Sequence, residues 1–378
     1  MPNCVRSGKK ESGLSLFQID AAENNTQAQT LTLYLMLELR RRGYPSHLYV
    51  SPDSYLHRKA QENSLPVKLL KGQKGCLSSL RLAREMKQHN CNLVHFHDSG
   101  SLELGLSAAS RARIPLRIIS QRKGTEKYPG ILLQPRNLQE VALIIAASSK
   151  IEKFLRGHII NSELVQTIPL GVDYAPFTIP VDKQYLRHEL SLSPGDFLVG
   201  IMTDLNDAPL LQRVARTAAS LAKKAPQIRL IVVGEGALHI EPQDQVPGFE
   251  NLMFYLGFRD SFPQVLPSLD LLAFPYRVKG FESLIRDSLA RRIPLAVARC
   301  EDLPEELVHR KTALLMSPQN PASLTNSILT AYENKELIRQ LSERGHEIMF
   351  QEYSSEAMAS RIVAEYERLA RRRNISLA

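Results

Sequence analysis

Cysteine and aromatic residues are scarce in this chain: four cysteines and 6% aromatics, with no tryptophan, among 378 residues. Cys4, Cys76, Cys91 and Cys300 lack metal-ligand or redox spacing and read as free thiols in a reducing compartment. No metal site is expected. The few aromatics do not interleave with basic residues as they do in single-strand binders, and no recognition motif is present, so no nucleic-acid partner is expected. Long apolar runs are missing too, since none approaches the roughly 20 residues of a membrane span. The opening residues, MPNCVRSGKKESG, are polar, without the apolar centre of a signal peptide. The expected compartment is the cytoplasm.

What is present fits a soluble protein of two ordinary domains, with 43% apolar and 23% charged residues. The net charge of +9 is uneven. Residues 1–180 hold 24 Lys+Arg against 14 Asp+Glu, while the remainder holds 24 against 25. The first half therefore points to an anionic partner, such as a membrane surface or an acidic polymer, or to a basic face that is merely solvated. The excess is concentrated at Arg40-Arg41-Arg42 and at Arg111, Arg113, Arg117, Arg122, Lys123 and Lys127. A peripheral position at an anionic membrane is the expectation these residues carry. Their plain alternative is that arginines ending helices favour the dipole.

Strand and helix signals alternate along the chain. LSLFQI (Leu14 to Ile19), SHLYVS (Ser46 to Ser51), LVHFH (Leu93 to His97), LRIIS (Leu116 to Ser120) and LIIAAS (Leu143 to Ser148) predict strands. Helices are predicted over Thr26 to Arg42, Cys76 to Gln88 and Leu102 to Arg113, and Gln166 to Pro169 closes the series. GVDYAPFTIPVD, from Gly171, is Pro-rich and reads as a connection. A second series follows: FLVGIM, a helix from Pro209 to Lys224, RLIVVG, NLMFYLG, a short helix near Gln264, LLAFPY, a helix from Glu282, and LAVA. Three helices close it, over Pro321 to Tyr332, Lys335 to Arg344 and Ser354 to Arg373. The fold class expected is α/β, with two doubly wound parallel sheets. The expected boundaries are 1–170, a connection over 171–195, 196–350, and a final helix over 351–378 packing back toward the first domain. Ligands in such sheets bind beyond the carboxyl ends of the strands, so two facing domains would hold a cleft.

One stretch, KGFESLIRDSLA from Lys279, places a Gly turn and a helix start directly after the strand LLAFPY. Free backbone N–H groups and the helix dipole converge at such a point and suit an anion. Together with IPLGVD (Ile168 to Asp173), VVGEG (Val232 to Gly236), LGFRD (Leu256 to Asp260), IPLAVA, LPEEL and TALLMSPQNPASL, in that order, the chain resembles the group 1 glycosyltransferases of family 4. The resemblance runs from the strand at Leu14 to the helix ending near Arg373. It implies the GT-B architecture of two facing Rossmann-like domains. It also implies metal-independent transfer of a sugar from a nucleotide diphosphate sugar, with retention, to an acceptor such as a lipid-linked or cell-envelope glycan. No cofactor besides that donor is implied.

Carried over residue by residue, the resemblance implies His97 and Lys279 at the reacting sugar. Gly234, Glu235, Gly257, Phe258, Arg259, Phe281, Glu282, Ser283, Leu284 and Asp287 fall at donor-binding positions, with Asp287 toward the ribose and Ser283 capping the helix. Asn24, Asn25, Asp98 and Ser99 form the acceptor-side loop. Several positions depart from the family pattern. Asn24 and Asn25 replace a glycine pair, although Asn tolerates the left-handed backbone region. Asp204 and Asp207 stand where an Arg and a Lys clamp the diphosphate, and Lys279 replaces a glutamate. Two readings follow: a transferase with an altered donor site, or a homologue without donor binding that serves as a binding or partner subunit.

Overall fold

The computed structural model describes residues 13–23, 26–70, 76–122, 140–158, 162–174, 182–234, 252–256, 265–276, 281–300 and 303–377. The chain divides into two compact units, residues 1–173 with 353–378, and residues 174–352. The first unit runs β1 (Leu16–Asp20), α1 (Thr26–Arg41), β2 (Ser46–Val50), α2 (Tyr55–Glu62), β3 (Val67–Leu69), α3 (Cys76–Gln88), β4 (Leu93–Phe96), α4 (Ser99–Ala112), β5 (Leu116–Gln121), β6 (Leu143–Ala146), α5 (Ser149–His158) and β7 (Val165–Thr167). Its sheet has the order β3-β2-β1-β4-β5-β6-β7, and every pairing is parallel.

Strands buried on both faces must be apolar on both, which is why they stand out as unbroken runs. Alternate residues then serve opposite layers. Leu16, Leu48, Leu93 and Leu116 join one core, and Phe17, Val94, Ile119 and Ile144 join the other.

The second unit comprises α6 (Tyr185–Glu189), β8 (Phe197–Met202), α7 (Ala208–Lys224), β9 (Ile228–Val233), β10 (Met253–Tyr255), β11 (Leu271–Phe274), α8 (Glu282–Ala290), β12 (Leu295–Ala298), β13 (Leu314–Met316), α9 (Ser323–Glu333) and α10 (Lys335–Glu352). Its sheet is again wholly parallel, in the order β10-β9-β8-β11-β12-β13. The chain then returns to the first unit as α11 (Ser355–Arg372), which lies on α1 and buries Met358, Ile362, Val363, Tyr366 and Leu369 in that unit's core.

Several elements differ from the sequence reading. The helix predicted over Lys335 to Arg344 continues to Glu352, and α2, β3 and α5 were not foreseen. Within the stretch 171–195, read as a connection, lies α6. There Arg187 reaches inward from α6 to donate to Asp270 Oδ2 at 2.6 Å and to the Ser268 carbonyl at 2.9 Å.

Candidate functional site

In the first unit one face of the sheet changes character along the strands. Reading every second residue toward the carboxyl end gives Leu16, Gln18 and Asp20 on β1, Leu93 and His95 on β4 with His97 just past it, and Ile118 and Ser120 on β5 with Arg122 just past it. The leucines and the isoleucine join the core under α1 and α11; Gln18, Asp20, His95, His97 and Ser120 past them are buried as well, and the Arg122 side chain is 9% exposed. Buried polar groups must find partners, and these find one another. Asp20 Oδ2 accepts from the Thr32 hydroxyl on α1 at 2.8 Å, and Arg122 lies 3.9 Å from that oxygen. Arg122 donates to the Ala28 carbonyl at 2.5 Å, to Thr32 Oγ1 at 3.0 Å and to His97 Nδ1 at 2.8 Å.

A guanidinium only donates, so His97 Nδ1 is the bare nitrogen and Nε2 carries the proton. That proton points at Gln18 Oε1, 2.8 Å away. The same oxygen accepts from the Tyr366 hydroxyl of α11 at 3.3 Å, and Tyr366 also meets His95 Nδ1 at 2.5 Å. His95 Nε2 ends the chain of contacts on Ser120 Oγ at 2.8 Å. Among the described residues Gln18 Nε2 has no partner. Burial, with Arg122 nearby, holds both imidazoles well below their usual range, so both are neutral. Burial also raises Asp20, against the opposing pull of Arg122.

This changes what His97 offers. It is only 2% exposed, and both ring nitrogens are engaged within the protein. Asp98 is likewise occupied: it caps α4 through Ser101 N at 3.0 Å and accepts from Ala21 N at 2.7 Å. Ser99 is the exposed first residue of α4. The basic cluster expected at a membrane is also mostly consumed. Arg41 and Arg42 pair with Glu38, whose pKa falls to about 2, chiefly through the Arg41 bond. Arg40 donates to the Asn63 carbonyl, while Arg117 is buried against Glu140 and Arg122 is buried in the network above. Lys123, Lys127, Asn24 and Asn25 lie outside the described residues.

In the second unit, the turn after β8 is built by its own carboxylates. Asp204 Oδ1 accepts from Asn206 N at 2.8 Å, and Asp207 caps α7 by accepting from Leu210 N at 2.9 Å. Gly234, at the end of β9, passes so close to the Thr203 carbonyl that a Cβ would lie 1.8 Å from its oxygen. Glycine is required there for packing. On α8 the sequence reading needs one correction: the N-cap position is Phe281, with no side-chain cap bond, and Ser283 is an exposed residue inside the first turn. Glu282 is the exposed first residue, while Leu284 and Asp287 are half-buried. Asp287 lies one turn before Arg291, whose guanidinium burial pushes down against the opposing charge of Asp287. Glu306 of LPEEL, almost wholly buried, accepts from Arg286 of α8 at 2.7 Å and holds the helix to that loop. Glu235, Gly257, Phe258, Arg259 and Lys279 lie outside the described residues. Among those described, no group of three His, Cys, Asp or Glu is placed to hold a metal ion.

The sequence reading missed Gln18, Asp20, His95 and Tyr366. Their signal was the polar alternation at the ends of otherwise apolar strands.

Comparison with known proteins matches each half separately. The family model described as Glycosyltransferase Family 4 matches residues 28–175, and that described as Glycosyl transferases group 1 matches residues 199–334. An N-acetyl-alpha-D-glucosaminyl L-malate synthase of Bacillus anthracis is 21% identical over 188 residues, 49% of this chain and 48% of that protein. The match thus spans about half of that relative's length. A D-inositol 3-phosphate glycosyltransferase of Jonesia denitrificans is 24% identical over 340 residues, 81% of this chain and 78% of that protein. Among solved structures, HepE of Anabaena in complex with UDP superposes with a TM-score of 0.67 at 20% identity, covering 94% of this chain and all of that one. Two wholly parallel α/β units with this likeness establish the GT-B fold.

Proposed function

The chain belongs to the group 1 glycosyltransferases of family 4, and from that premise we propose that it transfers a sugar from a nucleotide diphosphate sugar to an acceptor. The transfer proceeds with retention and without a metal ion. The observation that supports the reading is that each unit is matched by its own glycosyltransferase family model. HepE binds UDP, and a uridine donor is accordingly the first to try. The start of α8, around Phe281, Ser283 and Leu284, supplies N–H groups to the leaving diphosphate, and Lys279 supplies the counter-charge. Asp287 takes the donor ribose. Asp98 and Ser99 belong to the acceptor-side loop, and the acceptor is a lipid-linked or cell-envelope glycan met at the cytoplasmic face of a membrane.

A second reading has its own observation. Asp207 and Glu282 place carboxylates at the starts of α7 and α8, where a diphosphate would want N–H groups and cations. On that reading the chain has lost donor binding and serves as a partner subunit. Thermal unfolding of the full chain with UDP-, GDP- and ADP-sugars separates the two. A donor at ten times its dissociation constant should add about 1.4 kcal/mol of stability. No shift with any donor at millimolar concentration would remove the transferase reading. If one donor does stabilise, Asp287→Ala should abolish its shift, and an unchanged shift would sink the ribose assignment.

A further inference from the structure

In the sheet of the second unit, Ile201 of β8, Ala273 of β11 and Ala296 of β12 are paired abreast. Three residues further along, each strand has ended, and Asp204, Tyr276 and Arg299 follow at that level. All three are exposed, Tyr276 to 45%. Arg299 is fixed in register by its N–H, which donates to the Met316 carbonyl of β13 at 2.9 Å. The chemistry changes across the row. Asp204 Oδ1 accepts from Asn206 N at 2.8 Å and Nδ2 at 3.1 Å, while among the described residues its other oxygen accepts no bond. Among those residues the side chains of Tyr276 and Arg299 have no hydrogen-bond or ion-pair partner either. Of the described residues within two positions after the six strands of this unit, Arg299 is the one cation. From β8 to β12 the row therefore offers an acceptor, an aromatic ring and a guanidinium.

We propose that the sugar of the donor is a uronic acid, stacked on Tyr276 with its carboxylate on Arg299 and its hydroxyls toward Asp204. This rests on the transferase reading, in which the start of α8 takes the diphosphate and Asp287 the ribose. The sugar is then left for the strand ends beside that helix start. A pyranose has an apolar C–H face that suits an aromatic ring, and a few polar groups fix its orientation there. A carboxylate suits a guanidinium, whose paired N–H groups match its two oxygens. Other occupants fit less well. A neutral hexose would leave the Arg299 charge unmet, and an amino sugar would set its ammonium against it. A diphosphate lying along the row would bring its own charge against Asp204 as well as toward Arg299. A uronate satisfies all three positions at once.

The test is isothermal titration and thermal unfolding of the full chain with UDP-glucose, UDP-glucuronate, GDP-mannose and GDP-mannuronate, and with UDP and GDP alone. One uronate should bind about tenfold or more tighter than its neutral partner, and the gap should narrow at about 0.5 M salt. Arg299→Gln should bring that uronate to the level of the neutral sugar and leave the bare nucleotide unchanged. Tyr276→Phe should keep the affinity for the uronate, whereas Tyr276→Ser should weaken it about tenfold at unchanged Tm. Arg344→Gln, at an exposed position of α10, should change nothing. A neutral sugar bound as tightly as its uronate overturns the proposal and leaves the transferase reading standing. So does Arg299→Gln if it weakens the bare nucleotide as much as the uronate, since the guanidinium would then hold the diphosphate. No binding of any of these six ligands overturns the proposal as well, and the ADP-sugars of the preceding test then decide whether the transferase reading survives.

Discussion

Arg122 decides what His97 can be. Because the guanidinium only donates, it takes His97 Nδ1 as an acceptor, and the protonated Nε2 is spent on Gln18. A second proton on this ring would have to face Arg122 directly. His95 is equally confined between Tyr366 and Ser120. Both rings therefore titrate well below 6.5 in the folded chain and near 6.5 in the unfolded one. The sign follows: as pH falls through about 6.5, the unfolded chain takes up protons that the folded chain refuses, and stability is lost. Each histidine contributes a slope of about 1.4 kcal/mol per pH unit. Urea titrations between pH 7.5 and 5.5 should show that fall, and His97→Gln, which cannot titrate, should flatten it by one histidine's share. A slope unchanged in the variant would mean that His97 is protonated in the folded state. Tyr366→Phe tests the same network from the helix side. It leaves a fully buried His95 nitrogen without its partner, at a cost of about 1–3 kcal/mol, read from urea midpoints at constant m. His97 was legible in the sequence as a polar strand end. Its confinement was not, because Arg122 and Tyr366 lie 25 and 269 residues away and nothing in local pattern joins them to it.

Elements show the same tension between folding and binding. Asp207 serves α7 well, since an N-cap carboxylate satisfies an orphan N–H and suits the positive helix end. For a donor diphosphate at that turn, the same charge is repulsive. Two substitutions separate the effects. Asp207→Ala removes the cap and should cost about 1 kcal/mol. Asp207→Asn keeps the cap, since Asn is as good there, and removes the charge. It should leave Tm nearly unchanged and tighten donor binding a few-fold, on the order of 1 kcal/mol of relieved repulsion. Isothermal titration with the stabilising donor checks this, and unchanged affinity in Asp207→Asn would place the diphosphate away from α7. The long elements were legible because a strand buried on both faces is an unbroken apolar run, and α3 and β12 have the bounds that the pattern predicted. The missed ones are short or mostly polar. α2, YLHRKAQE, buries only Leu56 and Ala60, and β3 is three residues. Pairing with a neighbouring strand fixes β3, and no periodicity of its own does.

At the scale of the whole molecule, the last helix belongs to the first unit, although 179 residues of the second unit intervene. The place of return is tight. Val172 N donates to the Tyr353 carbonyl at 2.6 Å, Ser355 N donates to the Val172 carbonyl at 3.0 Å, and a Cβ on Gly171 would meet the Ser355 backbone at 2.5 Å. From there α11 is held to α1 by the Ser360 hydroxyl on Glu38, and to the turn after α1 by Arg42 and Tyr44 on Glu367. Beneath these bonds Met358, Ile362, Val363, Tyr366 and Leu369 complete the core. Burying five such side chains contributes roughly 8–15 kcal/mol, about the whole net stability of an ordinary domain. Removing residues 353–378 should therefore unfold the first unit and spare the second, whose chain is continuous from 174 to 352. Calorimetry of the chain ending at residue 352 should show the second unit's transition alone, with protease cleavage confined to residues before 174. Survival of a cooperative transition for the first unit would mean that α1 and the sheet close without α11. The buried polar groups make that outcome costly: with Tyr366 gone, His95 Nδ1 and Gln18 Oε1 each lose a hydrogen-bond partner inside the core.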